Sequence, residues 1–192
     1  MHQTHGFHTV RDTENPDWLE ANAPFKCTRS DAWLSPGYYF WEKDLERAHQ
    51  WGRFAYVVGE RAESYVILRA ELTLPKLLDL VGDREHQQQM QDFVEAMREA
   101  DPNWKSGREE PPLGRVIALL RLRASKTRPE LFPYTAVRAQ DHPKPYNYHF
   151  IWRRRQGQDN LIDLNPRIQI CTFDKSAATL QSVRIVFPEQ YV

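Results

Sequence analysis

The order of the periodic patterns along this chain constrains its fold more than any other feature of the sequence. Helical periodicity crowds the middle of the chain, where Met90, Phe93, Val94 and Met97 recur at amphipathic spacing within residues 85–100. Strand-like alternation crowds both ends. This segregation favours an α+β domain over a doubly wound parallel sheet, in which helices and strands would alternate.

The patterns and the turn residues between them predict a definite set of elements. Strands are predicted over residues 4–10, 38–41, 64–74, 134–139, 146–152, 167–173 and 182–187. Helices are predicted over residues 12–22, 43–56, 75–80, 85–100 and 113–122. The Pro-containing stretch 101–112 is too short and too charged to mark a domain boundary, so residues 1–192 are predicted to form a single domain.

Charge and cysteine content exclude several classes of protein. The 26 basic and 26 acidic residues cancel, so no global field directs the chain to nucleic acid or to a membrane. Cys27 and Cys171 are too few for a disulfide framework, and a cytoplasmic location is the simplest expectation. The sequence contains neither a signal-peptide pattern nor an apolar run near the ~20 residues of a membrane span, although leaderless secretion stays open.

The most informative segment is a Ser-Pro-Gly turn at 35–37 followed by four consecutive aromatic residues. Side chains alternate along a strand, so Tyr38 and Phe40 share one face while Tyr39 and Trp41 share the other. One aromatic pair can join a core, whereas the other needs a second layer or a flat ligand. Both interpretations, a core strand covered on each side and a ligand platform, stay open on this pattern.

The pattern Gly-x-Tyr-Phe that ends at Phe40, with Ala48 and Trp51 about one helix later, resembles the second motif of a known enzyme family. It is similar to ADP-ribosyltransferases of the diphtheria-toxin and poly(ADP-ribose) polymerase type. The resemblance implies split antiparallel sheets, NAD as the substrate, and a His–Tyr–Glu triad on three separate strands. It implies that Tyr39 stacks on nicotinamide and that Trp51 forms a second wall, since a cationic ring gains both dispersion and cation–π attraction on a tyrosine face.

The first strand offers two histidines for the first triad position, where the family residue holds a ribose hydroxyl of NAD. His8, followed by Thr9, lies just before the first predicted helix, as the family histidine does. His5, followed by Gly6, is the alternative because His-Gly is the commoner family pair. We favour His8, with Thr9 as its neighbour in the NAD site. Two histidines on the surface near the terminus remain the simpler interpretation.

The third triad position falls on Gln169, in the predicted strand 167–173, where the family has glutamate. A glutamine can hydrogen-bond ribose hydroxyls, but it carries no charge for the oxocarbenium-like centre that a carboxylate serves in glycosidases. Losing such a preorganised electrostatic partner typically costs ~10²–10³ in rate. We therefore expect a slow mono-transferase, a substitute carboxylate, or a site that only binds, and no chain extension into poly(ADP-ribose).

The resemblance thus implies an NAD-dependent mono-ADP-ribosyltransferase of the bacterial toxin or phage-defence type, which uses no metal. Its implied partners are a macromolecular acceptor (protein, RNA or DNA) and, for a toxin, an antitoxin; no membrane partner is implied. The alternative is a catalytically weak or inactive module that binds NAD or nucleic acid. Its phosphate contacts would come from the basic residues Arg115, Arg121, Arg123, Lys126 and Arg128. A third interpretation is an unrelated α+β domain whose aromatic residues are core.

Overall fold

A computed structural model describes residues 1–58, 63–100, 112–126, 128–141, 149–151, 161–163, 166–176 and 179–192. Its strands are β1 (His2–Arg11), β2 (Tyr38–Glu42), β3 (Tyr65–Leu74), β4 (Leu77–Asp79), β5 (Ala136–Asp141), β6 (His149–Ile151), β7 (Leu161–Asp163), β8 (Arg167–Thr172) and β9 (Leu180–Phe187). Its α-helices are α1 (Pro16–Asn22), α2 (Leu45–Gly52), α3 (Arg84–Ala100) and α4 (Leu113–Lys126). A π-helical turn (Arg53–Val57) continues α2, and 3-10 turns occupy Pro129–Leu131 and Glu189–Tyr191. The mixture confirms the predicted α+β class.

Seven strands form one sheet in the order β4-β5-β8-β2-β1-β3-β9, and β6 pairs with β7 in a separate hairpin. The pairs within the large sheet are antiparallel except for β4 and β5, which are parallel. The expectation of purely antiparallel sheets is therefore wrong at this edge. The predicted helix 75–80 is also wrong, because Leu77 and Leu78 pair with β5 and Leu78 is buried there.

Other predicted elements are present with shifted ends. The predicted helix 43–56 becomes α2 plus the π-helical turn, and the predicted helix 113–122 continues to Lys126. The strand β7 has no counterpart in the sequence-based prediction. Most of the predicted strand 146–152 and the segment 101–111 lie outside the described residues.

Side-chain capping fixes where the two helices near the N-terminus begin. The side chain of Asn15 accepts a hydrogen bond from the backbone N–H of Trp18, and that of Asp44 accepts one from Arg47. These caps satisfy backbone donors that the first helical turn leaves free. They therefore set the start of α1 before β2 and the start of α2 directly after it.

Helices cover both faces of the sheet. On one face, α1 packs through Leu19 against β1, β3 and β9. On the other face, α2 packs through Ala48 beside Trp41, while α3 and α4 pack around Leu34, Val137 and Cys171. The α2 cluster and the α3–α4 cluster thus share one face of the sheet and leave a space between them.

None of the helices in the described part of the chain has both the length and the apolar character needed to cross a lipid bilayer.

Candidate functional site

A cavity of about 550 Å³ opens where β1 and β2 separate, and residues of both sheet faces line it. Thr9, Tyr39 and Gln169 alternate onto one face, whereas His8 and Phe40 alternate onto the other. The volume of the cavity falls within the range of small-molecule sites, roughly 300–1,000 Å³. The five residues that the sequence analysis assigns to the NAD site all line this cavity: His8, Thr9, Tyr39, Trp51 and Gln169. The alternative histidine, His5, is not among the lining residues and contacts the ring of Phe7 instead. Residues distant in sequence are thus brought to one cavity.

The strands that carry His8, Tyr39 and Gln169 are direct neighbours, in the order β8-β2-β1. Tyr39 lies opposite Cys171 and Trp41 lies opposite Gln169, so Tyr39, Trp41 and Gln169 share one face. The ladder between β1 and β2 pairs Gly6 with Glu42 and Phe7 with Trp41, and it includes neither His8 nor Tyr39. The cavity therefore begins where these two central strands stop pairing.

The glycine before the aromatic run lets β2 start tightly against β8. A Cβ at Gly37 would overlap the sulfur of Cys171 and would lie 2.6 Å from the carbonyl oxygen of Thr172. Gly37 also exchanges backbone hydrogen bonds with Cys27, at 2.8 and 3.0 Å. This close approach gives a physical reason for the glycine two residues before Tyr39.

The hydroxyl of Tyr39 is committed to the loop before β2. It donates to the carbonyl oxygen of Ser35 at 2.8 Å and accepts from the backbone N–H of Leu34 at 3.0 Å. Burial, helped by the neighbouring Cys171, raises the pKa of this phenol well above its usual value of 10. The hydroxyl therefore keeps its proton at neutral pH, and the ring is the part of Tyr39 that is available to a ligand in the cavity.

The amide of Gln169 has a defined orientation. The indole N–H of Trp33 donates to its side-chain oxygen at 2.6 Å. Because an indole nitrogen can only donate, the accepting atom is the carbonyl oxygen and not the amide nitrogen. The NH₂ group makes no hydrogen bond to another described residue, so it can donate to a ligand oxygen.

Both ring nitrogens of His8 already form hydrogen bonds with backbone groups. Nδ1 lies 2.8 Å from the carbonyl oxygen of Tyr39, and Nε2 accepts from the N–H of Phe25 at 3.1 Å. These partners fix the neutral tautomer with the proton on Nδ1. Burial, with a smaller effect from the charge of Lys175, lowers the pKa of His8 from 6.5 to about 4. The ring thus bridges the strands where their ladder ends, and it has no free nitrogen for the ribose hydroxyl that the resemblance assigns to it.

Thr9 and Trp51 connect the cavity to α2. The hydroxyl of Thr9 donates to the carbonyl oxygen of Ala48 at 3.0 Å, which ties the helix to β1. Trp51 lies at the end of α2 with 39% of its surface exposed, and its ring packs 5.8 Å from that of the more exposed Phe54. The π-helical turn that follows is a rare element that is frequent at functional sites.

The cavity also contains charged residues that the sequence analysis did not single out. Arg167 pairs with Asp141 at 2.9 Å and its guanidinium lies 5.8 Å from the centre of the Trp41 ring. The Nε of Arg167 is buried and makes no hydrogen bond to any described residue. Alternation along β8 could have placed Arg167 beside Gln169, whereas Asp141 lies beyond the predicted end of its strand at residue 139.

The basic residues near the end of α4 do not form one uniform surface. Arg121 donates to the hydroxyl of Ser35 at 2.9 Å and to the carbonyl oxygen of Pro36 at 3.0 Å, and it lies 3.8 Å over the ring of Phe173. It therefore braces the turn before β2. Arg115, Arg123, Lys126 and Arg128 are exposed, and a second basic run in the sequence, Arg153-Arg154-Arg155, lies outside the described residues.

Within the described ranges, no group of three or more His, Cys, Asp or Glu side chains is arranged to hold a metal ion. Comparisons of the chain with protein-family models, with curated proteins and with solved structures give no match. The arrangement of residues around the cavity is thus the basis on which a function can be argued.

Proposed function

We propose that this protein is an NAD-dependent mono-ADP-ribosyltransferase. One observation carries the proposal: His8, Thr9, Tyr39, Trp51 and Gln169, chosen from sequence for an NAD site, line a single cavity. Four of them, His8, Thr9, Tyr39 and Gln169, lie on three adjacent central strands at the point where β1 and β2 stop pairing. Core packing alone has no need to bring such residues to one solvent-accessible cavity.

The lining suits the separate parts of NAD. The rings of Tyr39 and Trp51 offer aromatic surfaces for the cationic nicotinamide, through stacking and cation–π attraction. The NH₂ group of Gln169 can donate to a ribose hydroxyl. Lys26 and Arg167 supply positive charge for the pyrophosphate, and the Nε of Arg167, which bonds no described residue, is a donor that a ligand oxygen would satisfy.

Catalysis in this proposal comes mostly from positioning. The glycosidic bond to nicotinamide breaks, and the leaving ring takes the bonding electron pair and becomes neutral. Tyr39 and Trp51 hold the ring while Gln169 orients the ribose, so that the acceptor meets a fixed carbon atom. His8 acts here as a positioning residue, since its ring holds the backbone of Tyr39 and of Phe25 on either side of the gap.

A module that binds NAD without turnover is the second candidate, and one observation favours it. Gln169, at the position of the family glutamate, has an uncharged amide whose oxygen already accepts a hydrogen bond from Trp33. A macromolecular acceptor, and an antitoxin if the protein is a toxin, are further parts of the first proposal. Release of nicotinamide separates the two candidates.

The test combines calorimetric titration with NAD and chromatographic measurement of nicotinamide release by the full chain. We expect Tyr39→Ala to lose both binding and release, because the aromatic wall is gone. Tyr39→Phe is the matched control: it keeps the ring but leaves the Leu34 N–H and the Ser35 carbonyl without the hydroxyl, so it should retain release while losing about 1–3 kcal/mol of stability.

Binding without release in the wild type would instead support the module. Absence of saturable NAD binding in a folded wild-type protein would contradict both candidates.

A further inference from the structure

We infer that Asp141 supplies the carboxylate that Gln169 lacks; this inference rests on the proposed function. In the reaction, Asp141 would act as the base for the acceptor. The lining of the cavity contains two carboxylates, Asp31 and Asp141. They differ in their surroundings, and the difference selects one of them.

Asp31 is already satisfied. Arg29 binds both of its oxygens, from Nε at 2.8 Å and from a terminal nitrogen at 2.6 Å, and both side chains are about two-thirds exposed. The pair lies in the irregular loop between α1 and β2. A carboxylate bound through both oxygens on a solvated loop is poorly suited to receive a proton from an acceptor.

Asp141 has a different position. It lies at the end of β5, directly opposite Arg167, and Ala139 lies opposite Gln169. Residues two apart on a strand point to the same face, so Asp141 shares a face with Ala139 and with its partner Gln169. Asp141 and Gln169 are therefore diagonal neighbours. Diagonal cross-strand neighbours have Cβ atoms roughly 7–8 Å apart or slightly less.

Within the described part of the chain, one oxygen of this carboxylate has no partner. Arg167 binds Oδ2 of Asp141 at 2.9 Å, with the two side chains 29% and 37% exposed, and no described residue binds Oδ1. The guanidinium fixes the direction of the carboxylate and leaves its second oxygen for a ligand. An ordinary surface ion pair would show similar distances, but it would not need to lie in the cavity beside Gln169.

The chemical step balances with this residue as the base. The bond between ribose C1′ and the nicotinamide nitrogen breaks, and the nitrogen keeps the electron pair. A lone pair of the acceptor hydroxyl or amine, or of water, forms the new bond to C1′. The acceptor's proton passes to Oδ1 of Asp141, while Gln169 holds the ribose.

Exchanging the charge between the two positions tests the inference. Asp141→Asn should lower kcat for nicotinamide release by ~10²–10³ with little change in NAD affinity, since the lost interaction acts in the transition state. Asp141→Glu should keep part of the rate because it keeps the charge. Adding Gln169→Glu to Asp141→Asn should restore turnover, which a purely structural ion pair could not explain.

The matched control is Glu71→Gln, which removes the carboxylate of a similarly exposed ion pair, that with Arg69, outside the cavity lining and should leave the rate unchanged. A wild-type rate in Asp141→Asn, with turnover intact in the wild type, would overturn the inference alone. A rate lost in Asp141→Asn and not restored by Gln169→Glu, together with a loss of NAD affinity, would assign the pair to binding and also overturn it. A wild type that binds NAD and never releases nicotinamide would overturn the proposed function, and the inference with it.

Discussion

At the scale of single residues, the polar atoms near the cavity divide into those used by the fold and those left for a ligand. The hydroxyl of Tyr39 and both nitrogens of His8 bind backbone groups, whereas the NH₂ group of Gln169 binds no described residue. The resemblance indicated which side chains reach the cavity; strand alternation alone did not, because it places the neighbours His8 and Thr9 on opposite faces of β1. The sequence could not indicate which atoms are engaged, because Phe25, Leu34 and Ser35 lie in an irregular loop with no periodic pattern.

The buried imidazole of His8 predicts a pH-dependent stability. Its pKa is about 4 in the fold against 6.5 in the unfolded chain, so between these values the unfolded chain binds a proton that the native protein does not. Stability should therefore fall as the pH drops from 6.5 to 4, by about 3 kcal/mol at 1.36 kcal/mol per pKa unit. Urea unfolding across this range measures the loss.

The variant that isolates this effect is His8→Asn, which can still donate to the carbonyl oxygen of Tyr39 but does not titrate. Its stability should depend less steeply on pH between 6.5 and 4 than that of the wild type. His5→Asn, on the same strand and outside the cavity lining, controls for the loss of an imidazole. Equal slopes for His8→Asn and the wild type would show that His8 is not the responsible group.

At the scale of elements, the contact between α4 and the loop before β2 positions much of the site. A Cβ at Gly114 would overlap the carbonyl oxygen of Ala32 and lie 2.9 Å from the carbonyl carbon of Trp33. The same loop carries the indole that binds Gln169 and the carbonyl that binds Tyr39. The first turn of α4 thus supports the cavity through backbone contact.

This contact reverses the usual effect of replacing a helical glycine. In an open helix, Gly→Ala adds about 1 kcal/mol of stability through helix propensity. Gly114→Ala should instead lower the free energy of unfolding by roughly 1–3 kcal/mol, as overpacking does. The exposed Ser125→Ala on the same helix is the control and should be neutral or slightly stabilising. Chemical denaturation compares the two, and a gain in Gly114→Ala would contradict the close approach.

The elements themselves were predictable to different degrees. An imperfect alternation over ten or more residues marked β3 and a clear amphipathic stripe marked α3, and both are present where expected. Three-residue strands such as β4 and β7 are too short to show a recognisable periodic pattern. They form because a partner strand satisfies their backbone groups. The sequence did not indicate Asp141 either, because the end of β5 is determined by the pairing of Asp141 with Arg167 on β8.

At the scale of the whole molecule, the cavity opens where β1 and β2 separate, and tryptophan residues associated with two core clusters reach it. Trp41 belongs to the α2 cluster and Trp33 packs against the α3–α4 cluster, while Trp51 lies at the solvent side of α2. All three line the cavity. Indole fluorescence should therefore report what enters it.

NAD should quench this fluorescence with a saturable concentration dependence, because a cationic nicotinamide stacked on an indole accepts an electron from the excited ring. At a hundred times the dissociation constant, the ligand should also stabilise the fold by about 2.7 kcal/mol. Trp51→Phe should reduce the quenching while keeping an aromatic wall. Trp18→Phe, which alters an exposed indole outside the cavity lining, should leave it intact. Quenching that is linear in NAD, or equal in both variants, would contradict binding in this cavity.

The bond between the Trp33 indole and Gln169 has a consequence for how this site can evolve. An indole N–H that donates to an amide oxygen donates equally well to a carboxylate oxygen of the same length and shape. Glutamine and glutamate codons differ by a single base, so the packing around residue 169 already accommodates the product of one point mutation. The charge of this cavity could therefore be gained or lost along a lineage without rebuilding the surrounding loop.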